Sequence, residues 1–186
     1  MCRATAIGSV HLFGGGAMTR VFAVDPGLTR CGVAVVDGGP GRALRMMHVD
    51  VISTDAGLPL AQRLLGIEVQ VARIIAAHSP DIVAVERVFS QHNVASAMAT
   101  AQAAAVVLLI GARSGLPTAQ HTPTEVKAAV TGSGRADKAQ VASMVTRLLG
   151  LAAPPRPVDA TDALALAICH LWRMPMLERI RVAEVV

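Results

Sequence analysis

Two stretches of the chain end in the same way. Val21-Phe22-Ala23-Val24-Asp25 and Ile82-Val83-Ala84-Val85-Glu86 each set four apolar residues before a carboxylate. Short apolar runs of this kind read as buried strands, and the C-terminal end of such a strand is where open α/β sheets bind ligands. If the two strands are neighbours, Asp25 and Glu86 lie side by side. Two crowded anions repel unless one is protonated or a cation lies between them. Asp159 and Asp162 are three residues apart and share one face of a helix. Four converging carboxylates would hold hard divalent cations such as Mg²⁺, whose shell water and phosphate oxygens complete. Two such ions about 4 Å apart can activate a water and stabilise the leaving oxygen of a phosphodiester.

Each acid also has a plainer account. Asp25 precedes Pro26-Gly27 and could be a turn former. Glu86 could pair with Arg87 or another basic group. Asp159 could be an N-cap, and Asp162 suits the field of a first helical turn. The chain has only 13 acidic residues, so two matching strand ends are harder to set aside together than singly.

The elements that must position these groups follow from periodicity. Val21–Val24, Cys31–Val36 and Leu44–Ser53 read as strands separated by Pro26-Gly27 and by Asp37-Gly38-Gly39-Pro40-Gly41, an antiparallel meander. Leu60, Leu64, Ile67, Val71 and Ile74 keep helical spacing up to His78-Ser79-Pro80. A strand at Ile82–Val85 follows. Asn93 can cap an uncharged helix over Val94–Ala112, ending near Gly115. Thr118–His121 reads as a strand, Thr122 to Val130 and Asp137 to Leu149 as helices, and Asp159 to Arg173 as the last helix. The order βββαβαβα points to an α/β fold, a mixed sheet with helices on both faces.

At 186 residues, with 53% hydrophobic and 2% aromatic residues, the chain suits one domain whose interior Ala, Val and Leu fill. The net charge of +4 allows a polyanionic partner. Of the 17 basic residues only Lys127 and Lys138 are lysines. Three cysteines, Cys2, Cys31 and Cys169, without CxxC spacing argue against a disulfide framework or a zinc site and for a reducing cytoplasm. His92, His121 and His170 are too scattered for a metal motif and read as structural or surface residues, with His92 a DNA neighbour. Residues 1–18 read as a disordered leader, with Met18 a possible true start, 19–175 as the folded domain and 176–186 as a tail. Val94–Ala112 approaches membrane-spanning length, but its Ala, Ser, Thr, Met and Gln favour a buried helix of a soluble protein over a membrane segment.

Val24-Asp25-Pro26-Gly27-Leu28-Thr29-Arg30-Cys31-Gly32, Val85-Glu86-Arg87-Val88-Phe89, Thr131-Gly132-Ser133-Gly134-Arg135-Ala136-Asp137-Lys138 and Asp159-Ala160-Thr161-Asp162-Ala163-Leu164-Ala165 resemble, in order, the motifs of RuvC resolvases. The resemblance spans about residues 19–173 and departs from the pattern in the leader and in the proline-rich approach to Asp159. It implies an RNase H-like fold on a five-stranded mixed sheet and a homodimer. It also implies paired, symmetric nicking of four-way (Holliday) junctions in recombination and repair, with Mg²⁺ or Mn²⁺ as two ions per site. A RuvAB-type branch-migration complex is the implied partner. On this resemblance Asp25, Glu86, Asp159 and Asp162 are the catalytic metal ligands, Asp25 bridging both ions. Phe89, Arg87, Lys127, Lys138 and Ser133 are the implied DNA contacts, Phe89 as a wedge stacked on an unpaired base. By itself Phe89 would more simply be core, and the lysines solvated surface charges.

Other classes remain open at this stage. DPGLTRCG also resembles the phosphate loop of the actin and sugar-kinase group, but a second such domain has no room in 186 residues. A non-catalytic nucleic-acid binder would not need four acids. Another RNase H-like nuclease, acting on different DNA or on RNA, would share the metal chemistry.

Overall fold

The computed structural model describes residues 18–87 and 94–183, with side chains through Met174. The expected leader, the Asn93 cap, Phe89 and His92 lie outside the described residues, apart from Met18. The order is β1 (Thr19–Asp25), β2 (Arg30–Gly38), β3 (Leu44–Ser53), α1 (Leu60–His78), β4 (Ile82–Glu86), α2 (Val94–Arg113), β5 (Thr118–His121), α3 (Pro123–Thr131), α4 (Lys138–Leu148) and α5 (Val158–Ala183). The five strands form one sheet in the order β3-β2-β1-β4-β5. β1, β2 and β3 are the antiparallel meander, while β1–β4 and β4–β5 are parallel. The mixed sheet expected from the element order is therefore present.

Alternation along the strands sorts the core into two layers. Phe22, Val24, Val33, Val35, Val83 and Val85 pack with α1 and α2. Val21, Ala23, Ala34, Val36 and Ala84 pack with α3, α4 and α5. Small residues on the second face let α5 lie close to the sheet, and its segment Ala163–Cys169 is wholly buried. That burial explains why the last helix carries no Asp, Glu, Lys or Arg from Ala163 to Trp172.

Several boundaries differ from the periodicity. β1 and β2 extend to Thr19–Asp25 and Arg30–Gly38, because hairpin pairing continues from Thr19↔Gly38 to Asp25↔Gly32. The last helix does not end at Arg173. It runs to Ala183, across the expected boundary at residue 175, and Pro175 withholds one backbone donor without ending it. Asp159 is not the N-cap, since the helix already begins at Val158. In contrast, Thr122 and Asp137 form full capping boxes with Glu125 and Gln140, which fixes where α3 and α4 start.

α2 is the one described helix long and apolar enough to cross a membrane. Its Ala103, Ala104, Val107, Ile110 and Gly111 are buried in the layer between the sheet and α1. Val94, Met98 and Leu109 face outward.

Candidate active site

β1 and β4 are adjacent and parallel with Val24 opposite Val85, so the next residues, Asp25 and Glu86, stand side by side at one end of the sheet. Both continue the alternation of Ala23 and Ala84 and face α5. Gly32 pairs with Asp25 across the hairpin, and His121 pairs with Glu86 on the other side. One edge thus carries, in spatial order, Gly32, Asp25, Glu86 and His121, roofed by the start of α5.

Burial makes the two strand-end acids costly to ionise. The Asp25 carboxyl is pushed up to about 7, first by desolvation and then by the charges of Asp162 and Asp159. Glu86 is pushed up to about 8, again by desolvation first, with Asp25 and Asp162 adding repulsion. Asp162 is also raised by burial, a shift that nearby Lys138 opposes. All four acids therefore share one electrostatic field although 137 residues separate Asp25 from Asp162.

The cations around them are few and specific. Arg30 Nε donates to Asp159 Oδ2 at 2.6 Å, and Lys138 Nζ lies 3.5 Å from Asp162 Oδ2. Lys127 is near enough to favour the charged forms of Glu86 and Asp162. The two lysines of the chain flank the acids, Lys127 from α3 and Lys138 from the first turn of α4. Ser133 lies in the turn between those helices, where its Oγ accepts from the Arg135 backbone N at 3.3 Å. Arg87 follows Glu86 directly, and its backbone N donates to the His121 carbonyl at 2.8 Å. Phe89 falls outside the described residues.

Among the described residues no three carboxylate, imidazole or thiol groups already surround one point as a ready cage. Arg30 and Lys138 occupy Asp159 and Asp162 instead. The donor set nonetheless fits a hard divalent cation. It is all carboxylate oxygen, half-buried and self-repelling, and among the described residues no guanidinium or ammonium sits directly on Asp25 or Glu86.

Sequence reasoning assigned no role to Arg30 or Gly32, although both stand in the first motif. A Cβ placed on Gly32 would lie 2.1 Å from the Asp159 carbonyl oxygen and 2.8 Å from its carbon. Only a residue without a side chain lets the start of α5 rest on β2 there. The scattered histidines also need correction in part: His121 Nε2 and His170 Nδ1 meet at 2.8 Å in the core, behind Glu86. They remain structural, as expected, but as a pair. His170 is pushed down to about 4 by burial and then by His121. The folded form thus binds fewer protons than the unfolded chain between about 6.5 and about 4, so stability present above that window is lost as pH falls through it. The melting temperature should drop over this range, and His170→Leu should flatten the dependence. An equally steep fall in the variant would remove the pair as its cause.

Comparisons with known proteins agree with this architecture. The family model described as crossover junction endodeoxyribonuclease RuvC matches residues 21–170. A protein of Rhodococcus opacus named crossover junction endodeoxyribonuclease RuvC is 63% identical over 165 residues, covering 89% of this chain and 87% of that one. A Mycobacterium avium protein of the same name is 58% identical over 165 residues, with 89% and 88% covered. The solved structure of T. thermophilus RuvC in complex with Holliday junction substrate superposes with a TM-score of 0.81 at 34% identity, covering 85% of this chain and 96% of that one. The matched segment contains all four acids and both lysines, and the chain belongs to the RuvC family of crossover junction endodeoxyribonucleases.

Proposed function

We propose that the edge formed by Asp25, Glu86, Asp159 and Asp162 is the active centre at which this chain cuts four-way junction DNA, with Mg²⁺ as a pair of ions and Mn²⁺ able to replace it. The observation that carries this reading is the pairing of Val24 with Val85, which seats two desolvated carboxylates together under α5. When bound, a divalent cation supplies a Lewis acid for the phosphodiester and lowers the pKa of an attacking water. The protein's own part is positional. β1 and β4 hold Asp25 and Glu86 rigidly, and the first turn of α5 brings Asp159 and Asp162 over them. The buried floor keeps bulk water away, which strengthens each charge interaction.

Lys127 and Lys138 flank this edge, and with Arg87 and Ser133 they are proposed as phosphate contacts, which position a duplex without reading its sequence. Phe89 follows Glu86 by three residues and is proposed as the wedge that stacks on an unpaired base. Neutralising Lys127 or Lys138 with Gln should lower the slope of log affinity against log salt by about 0.9, one phosphate's worth of counterions. An unchanged slope in filter binding would take that lysine off the DNA.

α1 and α2 pack side by side, and both leave apolar side chains outside, Leu65 and Val69 on one, Met98 and Leu109 on the other. This surface fits a second copy, and a two-fold dimer matches a junction that offers two equivalent strands. Buried, unpaired Cys31 and Cys169 are in keeping with a cytoplasmic protein. A RuvAB-type branch-migration complex remains the proposed partner. The test is incubation with a labelled synthetic four-way junction, plain duplex and RNA–DNA hybrid, with and without Mg²⁺. Paired symmetric nicks in the junction alone, and only with the metal, are expected. Equal cutting of the hybrid would favour a broader nuclease.

A further inference from the structure

Among the described residues, the two arginine–aspartate ion pairs are built differently. Arg20 grips Asp37 with two nitrogens, Nε at 2.6 Å and Nη2 at 2.9 Å, and uses Nη1 on the His78 carbonyl. The Asp37 side chain there is only 11% exposed. That pair ties the sheet to the end of α1. Arg30 holds Asp159 through Nε alone, with side chains 50% and 33% exposed. Among the described residues its two terminal nitrogens make no other hydrogen bond. An exposed, single-contact pair is a weak one that solvent screens.

Its place in the fold is the second observation. Arg30 opens β2, two residues before Gly32, so it shares the face of Gly32, Asp25 and Glu86 and stands at the rim of the acid cluster. Gly32 keeps the Asp159 backbone pressed against β2, so Asp159 cannot retreat from Arg30 without lifting α5. The Asp159 backbone is held, and the longer, more exposed arginine is the member with room to swing away. A planar guanidinium with two unused donors is also well shaped for a phosphate.

We propose that Arg30 is an exchangeable positioning residue, which holds Asp159 in the metal-free protein, yields that carboxylate to a divalent cation, and passes its guanidinium to a phosphate of the bound DNA. The inference rests on the active-centre reading above. It gives the enzyme a built-in stand-in charge: Asp159 stays balanced without metal, and the same cation contributes to DNA binding once displaced. Arg30 acts through Asp159 and the DNA backbone, not on the reacting atoms.

The test uses the full chain. Mg²⁺ alone is titrated into metal-free wild type and Arg30→Gln by calorimetry, and the salt slope of four-way junction binding is measured for both in Ca²⁺. Arg30→Gln should bind Mg²⁺ about 3- to 10-fold more tightly, because the competing cation is gone, and its salt slope should fall by about 0.9. Arg30→Lys, which keeps the charge, should restore the slope and serves as the second variant if the first is poorly folded. Mg²⁺ affinity that is unchanged or weaker in Arg30→Gln overturns the inference, as does tighter Mg²⁺ binding with an unaltered slope. Wild type that takes up no Mg²⁺ overturns the active-centre reading itself, which separates the two failures.

Discussion

Asp25→Asn should leave the protein folded and able to hold a four-way junction while cutting falls by about two to three orders of magnitude, the scale seen when a central charge-stabilising group is removed. Asp25 feels or acts on each of the other three acids: Glu86 stands beside it on β4 and Asp159 and Asp162 lie close, with Gly32 across the hairpin. Removing its charge also relieves repulsion in the metal-free protein. The Asp25 carboxyl sits at about 7, whereas an unfolded chain's Asp titrates near 4. Between those values the folded form holds the extra proton, so stability falls as pH rises through the window and stays lower above it. Asn cannot ionise, and the metal-free variant should melt higher than wild type at pH 8. With discounting for partial exposure, the gain is about 1–2 kcal/mol, or roughly 2–8 °C for a domain of this size. Mg²⁺ should raise the melting temperature of wild type much more than that of the variant. Normal nicking by Asp25→Asn would take this residue out of the mechanism.

The second large effect is expected at a residue with no chemistry of its own. Gly32→Ala puts a methyl group 2.1 Å from the Asp159 carbonyl oxygen. Backbone cannot rotate out of the way as a side-chain tip does, so the start of α5 must lift or the β1–β2 hairpin must bend. Overpacking of this kind costs about 1–3 kcal/mol, a melting drop of roughly 2–12 °C. Asp159 and Asp162 move with the helix while Asp25 and Glu86 stay on the sheet. A misplacement near 1 Å can cost about a hundredfold in rate. Single-turnover cutting should therefore suffer more than the stability loss alone explains, and junction affinity less. A variant as fast and as stable as wild type would show that the contact is not required.

The two strand-end acids were legible because the same pattern, four apolar residues and then a carboxylate, occurs twice and strands of that kind pair in parallel. Composition pointed to a small-residue interior, and Ala23, Ala34, Ala84 and Ala163 are indeed where α5 meets the sheet. What could not be read were contacts between parts far apart in the chain whose local patterns are ordinary. Gly32 looks like any glycine after a turn, and its close approach to the Asp159 backbone exists only once α5 is docked. Arg30 is one of many arginines, distinguished by a partner 129 residues away. His121 and His170 read as unrelated because 49 residues separate them, yet β5 and α5 bring two of their ring nitrogens to 2.8 Å. Asp159 is the instructive case. Its position near a helix start is equally good for a cap or a metal ligand, and only the fold shows its carboxylate turned to Arg30 and the cluster.

The most direct measurement is the anomalous difference density of Mn²⁺ soaked into crystals of the wild-type protein. Peaks among the carboxylates of Asp25, Glu86, Asp159 and Asp162, with Arg30 Nε withdrawn from Asp159, are the result this account predicts. Mn²⁺ bound elsewhere, with these four acids unliganded at a concentration that supports cutting, would contradict it.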